Sequence, residues 1–177
     1  WFELAEAAEV PVWHEEQPAG EQLPWLVLFE GLESFAEKAR AGNAAALAER
    51  LKTRIENDAL PAFLSYQRWF AGKDGGLARA QLAEAGVWAT DRGAWLLAFA
   101  DADTDGSGPE RYLLPLAVSW ERDEAPSAGG AQAVARVRQR ARTGLLLDAF
   151  GEEAFCHDLL DGLEIGQTVP WGDGELR

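Results

Sequence analysis

Acidic residues at alternate positions are the first groups in this chain that could do chemistry. Asp101-Ala102-Asp103-Thr104-Asp105-Gly106 opens like an EF-hand calcium loop, with carboxylates at positions 1, 3 and 5 and glycine at 6 for the sharp turn. The rest of the loop departs from that pattern. Pro109 stands at position 9, Tyr112 replaces the bidentate glutamate at position 12, and a strand pattern follows where a helix is required. A solvated hairpin loop is expected there. Ala71-Gly72-Lys73-Asp74 echoes the end of a phosphate-binding loop, but Gln67 occupies the place of its first glycine and no Ser or Thr follows Lys73 to hold magnesium. Cys156 and His157 are neighbours on a helical pattern, and adjacent helix positions point about 100° apart, so they form no nucleophile–base pair. The acidic pairs Glu15-Glu16 and Glu152-Glu153 sit in a linker and at a helix start, not in a two-carboxylate glycosidase arrangement. His14 and His157 lack partners at ligand spacing. No catalytic, cofactor-binding or metal-binding residue is therefore expected in this segment.

The most heavily patterned stretch runs from Leu60 to Lys73: Leu-Pro-Ala-Phe-Leu-Ser-Tyr-Gln-Arg-Trp-Phe-Ala-Gly-Lys. Pro61 suits the first turn of a short helix, where its missing N–H would be unsatisfied anyway. Phe63, Leu64 and Gln67 follow at helical spacing, and Gly72 can supply the left-handed residue that ends the helix. Arg68, flanked by Gln67 and by Trp69-Phe70, reads as an anchor that stacks on a ring or pairs at a partly buried site. Arg68 and Trp69 are expected to fill the corner between the preceding helix and the following sheet. The set Gln67, Arg68, Trp69, Phe70, Gly72 and Lys73 is thus a structural or interface signature.

This stretch resembles the Gln-Arg-Trp-Phe-Ala-Gly-Lys signature of the N-terminal cap domain of bacterial maltokinases. There it commonly follows a Leu-Pro-x-x-Leu segment, as Leu60-Pro61-Ala62-Phe63-Leu64 does here, while Ser65-Tyr66 replaces a frequent Pro-Arg. The resemblance spans roughly residues 25–177. It implies a curved antiparallel sheet packed on helices, and a parent enzyme that transfers the ATP γ-phosphate to maltose to give maltose 1-phosphate. It places the catalytic aspartate, the magnesium ligands and the ATP site in kinase lobes beyond the cap. Trp1-Phe2-Glu3-Leu4 resembles the closing strand of the small β-domain that ends trehalose synthases, which are often fused directly upstream of maltokinase. The implied division is residues 1–24 as the tail of an upstream domain and a linker, and 25–177 as the cap with the start of the following kinase lobe. The implied partners are those kinase lobes and a trehalose synthase domain in the same chain.

Composition fits a domain of this size. The chain has 177 residues, of which 47% are hydrophobic, ample for a core. No run approaches the length of a membrane span and no charged-then-apolar leader opens it. The single cysteine excludes an internal disulfide framework, which makes the cytoplasm the default compartment. From the absence of methionine and the strand-like start, a longer natural protein is expected. The net charge is −14, and residues 143–177 alone carry 8 acids against 1 base. Such a chain repels phosphate backbones, so nucleic acid is not an expected partner. Eight tryptophans would also suit sugar stacking, so a carbohydrate-binding module is the rival reading.

The elements that must hold the signature follow from periodicity, and they make an α+β fold. Trp25–Phe29 reads as a short buried strand. Ser34 and Glu37 form a capping box for a brief helix closed by Gly42. Asn43 caps the strongest helix, whose Leu47, Leu51 and Ile55 stripe should pack on a sheet, with Ala44 and Ala48 beside it. Leu77–Ala89, Ala94–Ala100 and Tyr112–Trp120 then form an antiparallel meander, with Trp88, Trp95 and Trp120 supplying packing surface. Ala131–Arg142 is ambiguous on its residues, since its Ala and Arg content favours a helix and its alternating arginines a strand; the resemblance to the cap domains implies a strand, which sets Arg136, Arg138, Arg140 and Arg142 on one face, and Leu145–Leu147 reads as the next strand. Residues 151–163 form a C-terminal acidic amphipathic helix with Phe155, Leu159, Leu160 and Leu163 inward. Gly172-Asp173-Gly174 signals a turn, with a strand beginning at Glu175.

Overall fold

A computed structural model describes residues 23–28, 49–73, 76–104, 107–120, 132–171 and 174–176. The Ser34–Gly42 helix, the Asn43 cap with Leu47, and the strand at Trp1–Leu4 lie outside the described residues. The strands are β1 (Trp25–Val27), β2 (Leu77–Ala89), β3 (Ala94–Thr104), β4 (Ser107–Trp120), β5 (Ala133–Gln139) and β6 (Arg142–Asp148), followed by a small hairpin of β7 (Val169–Trp171) and β8 (Gly174–Leu176). β1 to β6 form one curled sheet in the order β1-β5-β6-β4-β3-β2. The meander β2-β3-β4 and the hairpin β5-β6 are antiparallel as expected, whereas β1 joins β5 in parallel. Register shifts at Leu82/Glu84, Ala102/Thr104 and Ala133/Ala135 interrupt the ladders, the kind of irregularity that locally increases strand twist.

One helical run lies against one face of the sheet. Its described part comprises α1 (Glu49–Arg54), a π-helical turn over Ile55–Ala59, and α2 (Leu60–Tyr66). Pro61 explains the turn. Proline inside an α-helix has no N–H to donate and its ring crowds the carbonyl four residues back. Widening the preceding turn accommodates it, and the Leu60 N–H now reaches the Ile55 carbonyl. Pro61 thus stands in the first turn of the short α2, as expected, and that helix follows the π-helical turn without a break in the run. Ile55, Leu60, Phe63 and Leu64 from this run pack with Leu26, Leu82, Leu96, Leu114, Leu116 and Val137 of the sheet in the main core. Leu51 is partly buried against the same core, in keeping with the expected stripe.

The opposite face of the sheet carries α3 (Glu153–Glu164), which packs on a second cluster of Trp88, Trp95, Leu97, Ala117 and Val169 through Phe155. Four expectations change here. β1 is not fully buried: Leu26 and Leu28 face the core while Trp25 and Val27 alternate outward, because only one side of this edge strand is covered. The segment after Ala100 is strand, not loop, since β3 runs to Thr104 and β4 starts at Ser107. The arginines do not share one face, because a turn at Arg140 and Ala141 separates β5 from β6. Arg136 instead lies 4.3 Å over the Trp25 ring and Arg142 4.4 Å over the Trp120 ring. Finally, Leu160 and Leu163 of α3 point to solvent, while Asp158 and Gly162 take the inward positions.

Candidate functional site

The signature residues meet at the corner where α2 ends. The helix stops at Gln67, whose backbone turns extended (φ −76°, ψ 131°), so the stop comes five residues before Gly72. Gly72 is not left-handed, since the positive-φ glycines among the described residues are Gly76 and Gly166. Its requirement is space: a Cβ there would run into the Thr104 methyl and the Phe70 ring. Gln67 is buried, and its carbonyl accepts the Phe70 N–H at 3.3 Å, which closes the tight turn carrying Arg68 and Trp69.

That turn divides the two rings between different tasks. Phe70 is 3% exposed and Trp69 is 45% exposed, so the buried anchor is Phe70 and not Trp69. Trp69 still bridges the two layers, with its ring 6.4 Å from Phe63 on α2 and 5.4 Å from Tyr112 on β4. Phe70 meets Tyr112 at 5.6 Å. The Tyr112 hydroxyl donates to the Glu110 carboxylate, and the Ala71 backbone N–H points at the hydroxyl oxygen. Burial and then the Glu110 contact raise the Tyr112 pKa, so the hydroxyl stays a donor. Arg68 is exposed, and Lys73 closes a 3-10 turn over Ala71–Lys73. The corner is an aromatic staple between helix and sheet.

A second constellation has no counterpart among the sequence motifs. Asp158 on α3 is 4% exposed and accepts three hydrogen bonds: from Thr90 Oγ1 at 2.6 Å, Trp95 Nε1 at 2.7 Å and Arg92 Nη1 at 2.8 Å. Arg92 Nη1 also reaches Asp161 Oδ2 at 2.7 Å. Thr90 and Arg92 sit on the β2–β3 turn and Trp95 at the start of β3; Thr90 tightens the turn by giving its N–H to the Gly93 carbonyl and taking the Gly93 N–H on its hydroxyl. Burial would raise the Asp158 pKa, and the bonds from Thr90, Arg92 and Trp95 together outweigh it and hold the carboxyl below its ordinary value. Phe155 sets its ring edge-on to Trp95 at 5.4 Å and to Trp88 at 6.3 Å in the same joint. Gly162 lets the helix approach, since a Cβ there would stand 3.3 Å from the Trp88 ring.

Of the remaining candidates, Asp101 and Cys156 have structural partners. Asp101, first of the alternating acids, makes a paired contact to Arg111 across β3 and β4, at 2.7 and 2.9 Å. Asp105 and Gly106 lie outside the described residues. A polar cleft of about 210 Å³ beside the π-helical turn is lined by Glu56, Asn57, Arg79 and Gln81, but Glu56 already accepts the Leu82 N–H at 2.8 Å, at the bulge in edge strand β2. His157 is exposed and Cys156 half-buried, with Sγ 3.5 Å from the Phe150 carbonyl. No group of three or more potential metal ligands occurs among the described residues.

Among the described residues, a curled sheet packed against one helical run, with a ring-lined corner between them, defines a domain of the α+β class. Its family comes from the sequence match: the chain belongs to the maltokinase N-terminal cap domain family, whose sequence model matches residues 63–151. The match starts in α2, takes in the signature and the sheet from β2 to β6, and stops before α3. No curated protein and no solved structure matches the chain. No helix among the described residues is long and apolar enough to cross a membrane.

Proposed function

We propose that this chain is the non-catalytic cap of a maltokinase, an ATP-dependent transferase that converts maltose to maltose 1-phosphate in the cytoplasm. The family match over residues 63–151 carries this reading. It is supported by how the signature is used, since Phe70, Gly72 and Gln67 are packed into the corner in place of facing a ligand. ATP, magnesium and the catalytic groups belong to the kinase lobes beyond the cap, and a trehalose synthase domain precedes it in the same polypeptide. The carbohydrate-binding alternative gains little, because the most exposed tryptophans among the described residues already have stacking partners: Arg136 lies over Trp25, and Phe63 and Tyr112 flank Trp69.

The test is an assay for maltose 1-phosphate with ATP and magnesium, run on the full-length polypeptide and on the 177-residue chain. Product from the full-length protein alone is expected. Product from the short chain, or none from the full-length protein, would overturn the reading. Saturable quenching of the short chain's tryptophan fluorescence by maltose or maltotriose would favour the binding module instead.

A further inference from the structure

The helix α3 has one side committed to the cap and another side left over. Inward, Phe155, Asp158 and Gly162 lock it to the β2–β3 hairpin. Outward, Cys156, Leu160 and Leu163 recur at the four- and three-residue spacing that makes one continuous strip along a helix. Leu160 is 63% exposed and Leu163 68%, and Ile165 at the helix end extends the strip at 74%. Phe150, 48% exposed, adjoins it through the Cys156 contact. Eight large apolar side chains are exposed among the described residues, and four of them fall between 150 and 165, so this is a patch and not scatter. The Asp158 network holds the helix, and with it the strip, in a fixed orientation.

We propose that this strip is the seat of the kinase portion of the same polypeptide. The inference rests on the maltokinase reading above. Two observations select this occupant. The helix begins just after the family match ends at 151, which places it at the C-terminal border of the cap, where an N-terminal cap adjoins its kinase lobes. Charge argues against a second copy. Exposed Glu153, Asp161 and Glu164 flank the strip, residues 143–177 carry 8 acids against 1 base, and the chain as a whole carries −14. Two copies would bring like rims together, which is unfavourable. The complementary surface is apolar and rimmed by Lys or Arg.

The full-length polypeptide provides the test. Leu163→Cys and Ile165→Cys are placed singly in a Cys156→Ser background, with Ser65→Cys as the exposed reference, and maleimide labelling at each site is followed by peptide mass spectrometry. Labelling at 163 and 165 slower than at 65 by about tenfold or more is expected if the strip is covered. Equal rates would overturn the inference, and so would protection that disappears on dilution, which would identify a second copy. Hydroxyl-radical footprinting of the unmodified protein repeats the question without a variant: Leu160, Leu163 and Ile165 should be oxidised well below Leu113, and oxidation at Leu113's level would count against docking. Maltose phosphorylation is measured on the same preparation. An active kinase with a freely labelled strip removes the docking inference alone, whereas an inactive protein with a protected strip removes the maltokinase reading and leaves the strip as an interdomain contact.

Discussion

The corner at Gln67–Lys73 and the joint at Asp158 both fasten a helix to the same sheet, yet they do it by opposite means. The corner uses rings: Phe63, Trp69 and Phe70 lie within eight residues of one another, and Tyr112 completes the set from β4. The joint uses one buried carboxylate with donors 63 to 68 positions away. Aromatic packing is only weakly directional and tolerates partial exposure, as Trp69 shows. A buried carboxylate has no such tolerance, because each lost donor leaves charge poorly compensated and each lost acceptor leaves a donor stranded. The first fastening is robust and local; the second is conditional on all of its parts.

Substitutions sharpen this contrast. Phe70→Ala should have the largest effect, about 3–5 kcal/mol by urea denaturation, because it empties a filled aromatic site. Asp158→Ala should cost about 2–3 kcal/mol, since the Trp95 Nε1–H and the Thr90 hydroxyl lose their acceptor. Trp69→Ala should cost only about 1–2 kcal/mol, in line with a half-exposed ring and two aromatic contacts. A Trp69 effect as large as that of Phe70 would break the assignment of anchor and bridge. Arg140→Gly should stabilise slightly, by less than about 1 kcal/mol, because Arg140 holds φ at 54° in the β5–β6 turn, where glycine carries no Cβ strain.

Acidity separates the two fastenings without any substitution. The Asp158 pKa is depressed in the folded chain, so its stabilisation is present above the ordinary carboxyl range and is lost as pH falls through the lower, folded value. Melting temperatures of wild type and Asp158→Asn should converge as pH falls below that range. The Phe70→Ala deficit should persist across the same interval, because the rings carry no proton. A deficit for Asp158→Asn that stays constant down to acid pH would contradict the ionic account of the joint.

Legibility in the sequence divides along the same line. The meander, the β5–β6 hairpin strands and the Leu51/Ile55 stripe are legible because each is written in neighbouring residues. Sequence reading fails where distant partners decide. Leu160 and Leu163 match the helical period as well as Phe155 does, but the side of α3 that meets the sheet is chosen by Asp158 and Gly162, which periodicity counts as polar and empty. Trp69 and Phe70 are adjacent rings, and only the turn closed by the Gln67 carbonyl says which one enters the core. The π-helical turn is implicit in Pro61, yet sequence cannot tell whether a helix begins at a proline or widens to pass it. No local pattern joins Thr90, Arg92 and Trp95 to Asp158.

If the signature corner works by coupling the helix end to the sheet, a double-mutant cycle on Phe70 and Tyr112 tests that role most directly. Phe70→Leu, Tyr112→Leu and the double variant are unfolded in urea, and the interaction energy is taken from the four stabilities. A favourable coupling of about 0.5–1.5 kcal/mol is expected, the range for an aromatic pair beyond its buried area. Strictly additive losses would show that the two rings fill space independently, and the staple would then not exist.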